Sequence, residues 1–191
     1  MRAAPAPPHA HSYLTGTGWT FEAIGIFDLA PDRAAAMAER VRIDGGPEVR
    51  ACATAEEVVS SCDLIVFATV ATAPHITDPR LFAHNPVVLH LSLRDLAPEV
   101  VLSASNVVDD VDHCLKAGTS LHLAEQQTGN RDFLDGTIDD VLNDRLSLRA
   151  DRPLVFSPFG LGVLDLAVGK HVYDQLADAG RLTTVANFFC P

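Results

Sequence analysis

The first residue of this sequence that could do recognisable chemistry is Asp28, which directly follows the short apolar run Ala23–Phe27. A carboxylate at the end of the second strand of a dinucleotide-binding sheet accepts hydrogen bonds from the adenosine ribose. Its charge would also repel a 2′-phosphate, so Asp28 predicts binding of NAD rather than NADP. The alternative is a turn aspartate ahead of the helix that Pro31 opens.

A second acidic residue, Asp95, closes the segment Ser92-Leu93-Arg94-Asp95 at the end of the apolar run Pro86–Leu93. A carboxylate at this position could act as a base if burial raises its pKa. We expect Arg94 to hold either Asp95 or a substrate carboxylate through two parallel hydrogen bonds. The alternative for Asp95 is the N-cap of the helix that follows.

Small or polar residues also end two other apolar runs. Thr69 lies at the end of Asp63–Val70, and Phe159-Gly160 follows a late predicted strand. The carboxyl ends of parallel strands face the ligand crevice, although each position could equally be a plain strand end or a tight strand–helix junction. His75, in the loop after Thr69, is interpreted as structural. The residues expected to line the cofactor, besides Asp28, are Thr69, Ser92, Leu93, Arg94, Phe159 and Gly160.

A cluster of acids and histidines, Asp109–His113 with His122, has residue types that bind metals. Acids also stabilise the N-terminus of a helix, and Asp109 and Asp110 lie where a helix is predicted to begin. We therefore expect no metal at this cluster.

The order of predicted elements indicates the fold class. Apolar strands without polar alternation alternate with amphipathic helices, which is typical of a parallel sheet covered on both faces. The prediction is a Rossmann-like, doubly wound α/β fold that lacks its first strand and its glycine loop. Gly16-Thr17-Gly18 is the nearest match to GxGxxG, but Phe21 takes the third glycine position and no apolar strand precedes it. We interpret it as a helix-to-strand turn.

Composition narrows the possible partners and compartments. The 191-residue chain has a net charge of −11, which argues against nucleic acid and anionic membranes as partners. The four cysteines form no CxxC pair, which favours free thiols in a reducing cytoplasm. The N-terminus lacks the apolar segment of a secretory signal.

Three longer segments resemble a known family: "LSLRDLAPEV" from Leu91, "NVVDDVDHCLKAGTSLHLAEQQTGNRDF" from Asn106 and "VFSPFGLGVLDLAVGKHVYDQ" from Val155. Together they are similar to the ornithine cyclodeaminase/mu-crystallin family. Within it they most resemble the branch that makes L-2,3-diaminopropionate for siderophores and peptide antibiotics, the N-(2-amino-2-carboxyethyl)-L-glutamate dehydrogenases.

This resemblance implies NAD-dependent oxidation of a secondary amine, followed by hydrolysis of the imine to 2-oxoglutarate and diaminopropionate. It implies that Asp95 handles proton transfer near the substrate amine. It also implies a small amino-acid substrate that is supplied by a pyridoxal-phosphate synthase.

The resemblance implies an N-terminal substrate and dimerisation domain ahead of the Rossmann domain, so the sequence predicts an N-terminally truncated member. We expect residues 1–12 to be disordered, 13–160 to form a partial NAD-binding domain, and 161–191 to be a C-terminal helix and tail that packs on the missing domain. A homo-oligomer or a complementing chain would complete the enzyme. The alternative is a non-catalytic family member that binds a nucleotide or a partner.

Overall fold

The computed structural model describes residues 6–43 and 47–185, with side chains from residue 10 onward. The chain divides into two compact units, residues 1–159 and residues 160–191. Among the described residues, no helix is both long and apolar enough to cross a bilayer.

The first unit alternates helices and short parallel strands. Its helices are α1 (Ala6–Gly16), α2 (Pro31–Ile43), α3 (Ala55–Ser61), α4 (Pro98–Ser103), α5 (Val111–Cys114), α6 (Ser120–Thr128) and α7 (Ile138–Leu142). Its strands are β1 (Ala23–Ile26), β2 (Glu48–Ala51), β3 (Leu64–Phe67), β4 (Val87–His90), β5 (Ser105–Val108), β6 (Leu134–Thr137) and β7 (Leu154–Ser157).

The strands form two parallel sheets. The larger sheet has five strands in the order β3-β4-β7-β5-β6, and the smaller sheet pairs β1 with β2. Every strand pair in both sheets is parallel. This architecture confirms the predicted Rossmann-like α/β class, in which ligands bind outside the carboxyl ends of the strands.

The two sheets are not hydrogen-bonded to each other. Among the described residues, β1 pairs only with β2, and β3 pairs with no strand but β4. In the strand order 3-2-1-4-5-6, these two free edges belong to the neighbours of the first strand. The division of the sheet therefore falls at the position where the sequence predicted that the first strand is missing.

Helix α3 lies against both sheets. A Cβ added to Gly25 of β1 would lie 3.9 Å from Val58 of α3 and 3.3 Å from the sulfur of Cys62, which ends that helix. Val59, the next residue of α3, is buried in the core cluster of the larger sheet. Helix α3 thus joins two sheets that share no backbone hydrogen bond.

The core of the first unit lies around the larger sheet. Apolar side chains from its strands and from the covering helices pack into one cluster, whose almost completely buried members include Phe82, Ile76, Leu96, Leu121, Val59, Val88, Val100, Val101, Val108 and Val155. Because the centre of the sheet is covered by apolar packing, its polar side chains concentrate at the strand ends.

Several predicted boundaries differ from the structure. Residues 6–12, expected to be disordered, are helical and belong to α1, whereas residues 1–5 lie outside the described residues. Strands β3 and β4 end at Phe67 and His90, several residues before their apolar runs end, and β6 was not predicted. The turn at Gly16–Gly18 is confirmed, since the nitrogens of Thr17 and Gly18 donate to carbonyls at the end of α1.

The second unit contains one long helix, α8 (Gly162–Asp178). Large apolar side chains on this helix are exposed to solvent: Val163, Leu164, Leu166, Val168, Val172 and Tyr173. Leu164, Val168 and Val172 recur at helical spacing along α8, and none of the three is buried.

Candidate functional site

The buried carboxylate of Asp95 forms hydrogen bonds with side chains that follow the ends of β3 and β4. Thr69, just beyond β3, donates its hydroxyl to Oδ1 of Asp95 at 2.5 Å. Ser92, just beyond β4, donates its hydroxyl to Oδ2. Nε2 of His75 lies 3.0 Å from Oδ1. Because β3 and β4 are adjacent and parallel, their carboxyl ends bring these groups to one point.

His90, the last residue of β4, forms the inner wall of this centre. Its Nε2 lies 3.2 Å from both the backbone nitrogen and Oδ2 of Asp95, and its Nδ1 lies 3.2 Å from Oγ of Ser157. A neutral imidazole carries a proton on one ring nitrogen only. Nε2 therefore either accepts from the Asp95 N–H or donates to its carboxylate.

The loop that carries His75 is fastened to Asp95 by its backbone. The nitrogens of His75 and Ile76 donate to the carbonyl of Asp95 at 3.0 and 2.9 Å. Ile76 also forms an isolated parallel bridge with Leu96. The ring of Phe67 contacts both imidazoles edge to face, with centroids 6.4 Å from His75 and 5.9 Å from His90. Phe67 therefore packs against both histidines.

The Asp95 carboxyl is held in its ionised form. Burial raises its pKa, but hydrogen bonds from His90, Ser92, Thr69 and His75 together outweigh burial and bring the pKa well below the usual range of aspartate. The condition attached to its predicted role as a base, a raised pKa, is therefore not met. An ionised carboxylate in this position can fix the tautomer and orientation of an imidazole, as in the aspartate–histidine pairs of other enzymes.

The alternative role predicted for Asp95, a helix N-cap, is wrong. The N-cap of α4 is Ala97, which makes no side-chain capping bond. The predicted pairing of Arg94 with Asp95 is also wrong. The guanidinium of Arg94 donates to the carbonyl of Ala117 at 2.7 Å through Nη2 and at 3.3 Å through Nε.

Leu93 and Arg94 connect this centre to the loop ahead of α6. Leu93 has a φ of 69°, a left-handed conformation that branched side chains rarely adopt. Its carbonyl accepts a 2.7 Å hydrogen bond from the nitrogen of Ser120, the first residue of α6. Arg94 bonds to Ala117 in the same loop. Strained backbone of this kind tends to persist at functional sites, where the surrounding contacts enforce it.

The other predicted cofactor residues lie at strand ends but outside the Asp95 centre. Asp28 follows β1, is half-buried and accepts a 2.8 Å hydrogen bond from the nitrogen of Ala30. Phe159 follows β7, and its nitrogen donates to Asp109 at 3.0 Å. Gly160, the first residue of the second unit, has a φ of 104°, a conformation that favours glycine.

The acidic cluster after β5 has local structural roles. Asp109 binds the backbone of Phe159 and also accepts from the nitrogen of Asp110 and from the thiol of Cys114. Asp110 is the N-cap of α5 and accepts from the nitrogen of His113 at 2.8 Å. Among the residues that the structure describes, no group of three or more His, Cys, Asp or Glu side chains is arranged so that it could hold a metal ion.

Sequence reasoning missed both histidines of the centre. His75 was interpreted as structural, and His90 was counted only as part of an apolar strand. One signal was available: His90 lies within the apolar run Pro86–Leu93, five residues before an acid, and such runs rarely contain a buried histidine without a polar partner. Their convergence on Asp95 depends on strand pairing, which no local spacing reveals.

The part of NAD that these residues fit is the adenosine ribose. Asp28 lies just beyond a parallel strand, and the backbone nitrogen of Ala30 donates a hydrogen bond to its Oδ1. The pyrophosphate needs a glycine turn that leads into a helix N-terminus. Gly16–Gly18 follows the C-terminal end of α1 instead, where carbonyl groups accumulate. The described residues therefore fit the ribose and provide no cradle for the phosphates.

Comparison with known proteins identifies the family. The model of the ornithine cyclodeaminase/mu-crystallin family matches residues 15–180, so this chain belongs to that family. A ketimine reductase mu-crystallin of Mus musculus is 24% identical over 171 residues, which are 87% of this chain and 51% of the mouse protein. The chain therefore spans about half the length of the curated relatives it matches.

Solved structures show the same fold. The Δ1-pyrroline-2-carboxylate reductase of Thermococcus litoralis, in complex with NADH and L-proline, has a TM-score of 0.82 at 18% identity and covers 92% of this chain and 56% of its own. The iminosuccinate reductase of Paracoccus denitrificans, in complex with NAD⁺, has a TM-score of 0.80 at 18% identity, with coverages of 94% and 56%. At this identity the likeness establishes the fold alone.

Proposed function

We propose that this chain is the NAD-binding part of an oxidoreductase that acts on the C–N bond of a secondary-amine amino acid. The observation that carries the proposal is the ionised Asp95 with its two histidines, placed at the carboxyl ends of adjacent parallel strands in a member of this family. The ketimine, iminosuccinate and pyrroline-carboxylate reductases to which the chain is similar act on compounds with a C=N bond, which supports this reaction class.

The proposed substrate is N-(2-amino-2-carboxyethyl)-L-glutamate. Its oxidation at the glutamyl α-carbon and hydrolysis of the resulting imine yield 2,3-diaminopropionate and 2-oxoglutarate, for siderophore or peptide-antibiotic synthesis in the cytoplasm. A pyridoxal-phosphate synthase would supply the substrate. The segments around Ser92–Asp95 and Phe159–Gly162 support this branch through their resemblance to its members.

In this proposal NAD, when bound, would be the hydride acceptor. Asp28 accepts hydrogen bonds from the adenosine ribose, and its negative charge disfavours a 2′-phosphate. Thr69 and Ser92 keep the Asp95 carboxylate in place through their hydroxyls. Leu93, Arg94, Phe159 and Gly160 are proposed to line the cofactor as backbone walls rather than as polar ligands. The phosphate cradle and the substrate domain are proposed to come from a complementing segment or subunit.

Binding of NADH to the 191-residue chain, measured by calorimetry, tests the first half of the proposal. Asp28→Asn keeps an oxygen for the Ala30 nitrogen but removes the charge. Loss of a charge-assisted hydrogen bond costs about 1.5–3 kcal/mol, so we expect binding to weaken by at least tenfold. Asp32→Asn, an exposed acid in the first turn of α2, is the matched control and should bind like the wild type.

Incubation with N-(2-amino-2-carboxyethyl)-L-glutamate and NAD tests the second half, with 2-oxoglutarate and diaminopropionate detected by mass spectrometry. Equimolar formation of both products supports the dehydrogenase. Saturable NADH binding without products would support the alternative, a nucleotide-binding member without turnover. That alternative is favoured by one observation, the lack of a phosphate cradle among the described residues.

A further inference from the structure

We propose that His75 is the residue that exchanges a proton with the substrate nitrogen, and that Asp95 is its positioning residue. This inference rests on the proposed function and assigns a role within that site. It differs from the role implied by the family resemblance, in which Asp95 itself transfers the proton.

Exposure separates the three ionisable groups of the centre. The side chain of His75 is 40% exposed, whereas those of His90 and Asp95 are 1% and 0% exposed. A group that exchanges protons with a substrate must be reachable by it. His75 alone among these three meets that condition.

The two ring nitrogens of His75 have different roles: Nε2 binds Asp95, and Nδ1 is left to accept a proton. Nε2 lies 3.0 Å from the Asp95 carboxylate, which, being ionised, can only accept a hydrogen bond. Nε2 therefore carries the proton, and the lone pair of a neutral ring lies on Nδ1. Within the residues that the structure describes, no protein group forms a hydrogen bond to Nδ1.

Asp95 is poorly suited to take the proton itself. Its pKa is held well below the usual range, and a general base is most effective when its pKa lies near the working pH. Both of its oxygens are already occupied by hydroxyl and imidazole groups. Its geometry suits the fixing of an imidazole.

The backbone contacts of the loop hold it in place without the His75 side chain. The loop is fastened by the two backbone nitrogens of His75 and Ile76 and by the bridge between Ile76 and Leu96. These bonds do not involve the side chain at position 75. The hydrogen bond between Nε2 and the buried carboxylate is therefore not needed to hold the loop.

The proposed step is balanced in atoms and electrons. The α-carbon of the substrate would lose a hydride, with its electron pair, to bound NAD, so that the C–N single bond becomes a C=N bond. The nitrogen loses its N–H proton to Nδ1 of His75, which becomes doubly protonated. Asp95 keeps its charge opposite Nε2–H and stays unprotonated throughout, and the ring then returns its proton to water.

The test compares His75→Ala, His75→Gln and the control His84→Gln in the turnover assay described above. His84 is an exposed histidine of the same unit that bonds one backbone carbonyl. We expect kcat of both His75 variants to fall by about 10²–10⁴-fold with KM little changed, as is usual for loss of a general base. Added imidazole should restore part of the activity of His75→Ala only, and His84→Gln should match the wild type.

A spectroscopic readout does not depend on turnover. In ¹⁵N-histidine-labelled protein, the His75 ring should show a protonated Nε2 and an unprotonated Nδ1, and Asp95→Asn should shift the Nε2 signal. If the wild type turns over and the kcat of His75→Gln lies within threefold of the wild-type value, the proposed role of His75 is wrong although the proposed function stands. If the wild type neither binds NADH nor turns over, the proposed function fails, and the ring spectrum then decides: an Nδ1-protonated ring overturns the pairing with Asp95.

Discussion

At the scale of residues, the most constrained group in this protein is the Asp95 carboxylate. It is completely buried, and its oxygens are surrounded by two hydroxyl groups and two imidazoles. A buried charge of this kind is strongly destabilising if its partners are removed, because it is then left without solvation. The contacts that prepare the site for chemistry therefore also stabilise the folded chain.

Asp95→Asn is expected to lower the free energy of unfolding by about 2–3 kcal/mol at pH 7, the usual value of hydrogen bonds to a buried charge. The folded pKa of Asp95 lies below the unfolded value of about 3.9. The stabilisation is therefore complete above that pH and is lost as the pH falls through the lower folded value. Urea unfolding at pH 7, 5 and 3.5 should show a difference that is constant between the first two and smaller at the last.

The exposed acid Asp132 provides the control. Asp132→Asn should leave the unfolding free energy close to that of the wild type at all three values of pH. A difference between Asp95→Asn and the wild type that grows on acidification would contradict the ionised state of Asp95.

The buried thiol of Cys114 should be inert in the folded chain. Burial, together with a hydrogen bond from this thiol to Asp109 and the negative charge of that residue, raises its pKa to about 12, and only the thiolate reacts with disulfide reagents. In a Cys190→Ser background, mass-spectrometric mapping after treatment at pH 8 should find label on the half-buried Cys52 and Cys62 and none on Cys114. Labelling of Cys114 at the rate of the other two would show that the structure around Cys114 opens readily.

Individual residues were predictable where a local pattern governs them. Asp28 lies at the end of a strand, as expected, because an apolar run followed by an acid and a helix start is a local signal. The partners of Asp95 were not predictable in the same way. His75 and His90 are separated from it by twenty and five residues, and only the pairing of β3 with β4 brings them together.

At the scale of elements, the short helix α3 is important for the stability of the first unit, because it packs on both sheets. Its N-cap is Thr54, whose side chain accepts from the nitrogen of Glu57 at 3.1 Å. Thr54→Ala should lower the free energy of unfolding by about 1 kcal/mol, and Thr54→Ser, which keeps the acceptor, should be nearly neutral. Equal loss in both variants, measured by urea unfolding, would mean that the cap does not stabilise α3.

The helices and strands were largely predictable, because apolar residues recur at helical spacing in the helices and form continuous apolar runs in most strands. The strands of the larger sheet read as apolar runs, but β3 and β4 stop where ladder pairing ends, and the apolar residues beyond belong to loops. Strand β6 has the sequence LDGT, which lacks the apolar pattern of a strand. It is recruited by pairing with β5, where Asp135 accepts from the nitrogen of Asn106 at 2.7 Å.

At the scale of the whole molecule, the apolar surface of α8 should make the chain associate. Contiguous exposed apolar side chains usually mark surfaces that another chain covers, and Leu166 of α8 is 75% exposed. Sedimentation at rising concentration should show association that Leu166→Lys weakens. Gln175→Lys adds the same charge at a polar position of the same helix and should have little effect. A wild type that stays monomeric at high concentration would contradict this expectation.

The position of β7 within the larger sheet has a consequence for synthesis on the ribosome. Strand β7 is the last strand among the described residues, yet it lies between β4 and β5 and separates them. While the chain is being made, β4 and β5 therefore have no native partner on their inner edges until Leu154–Ser157 has emerged. Ser157, which bonds His90, arrives with it. The centre of the sheet and the inner wall of the site are thus completed together, late in translation, and a chaperone that shields these two edges would act in that interval.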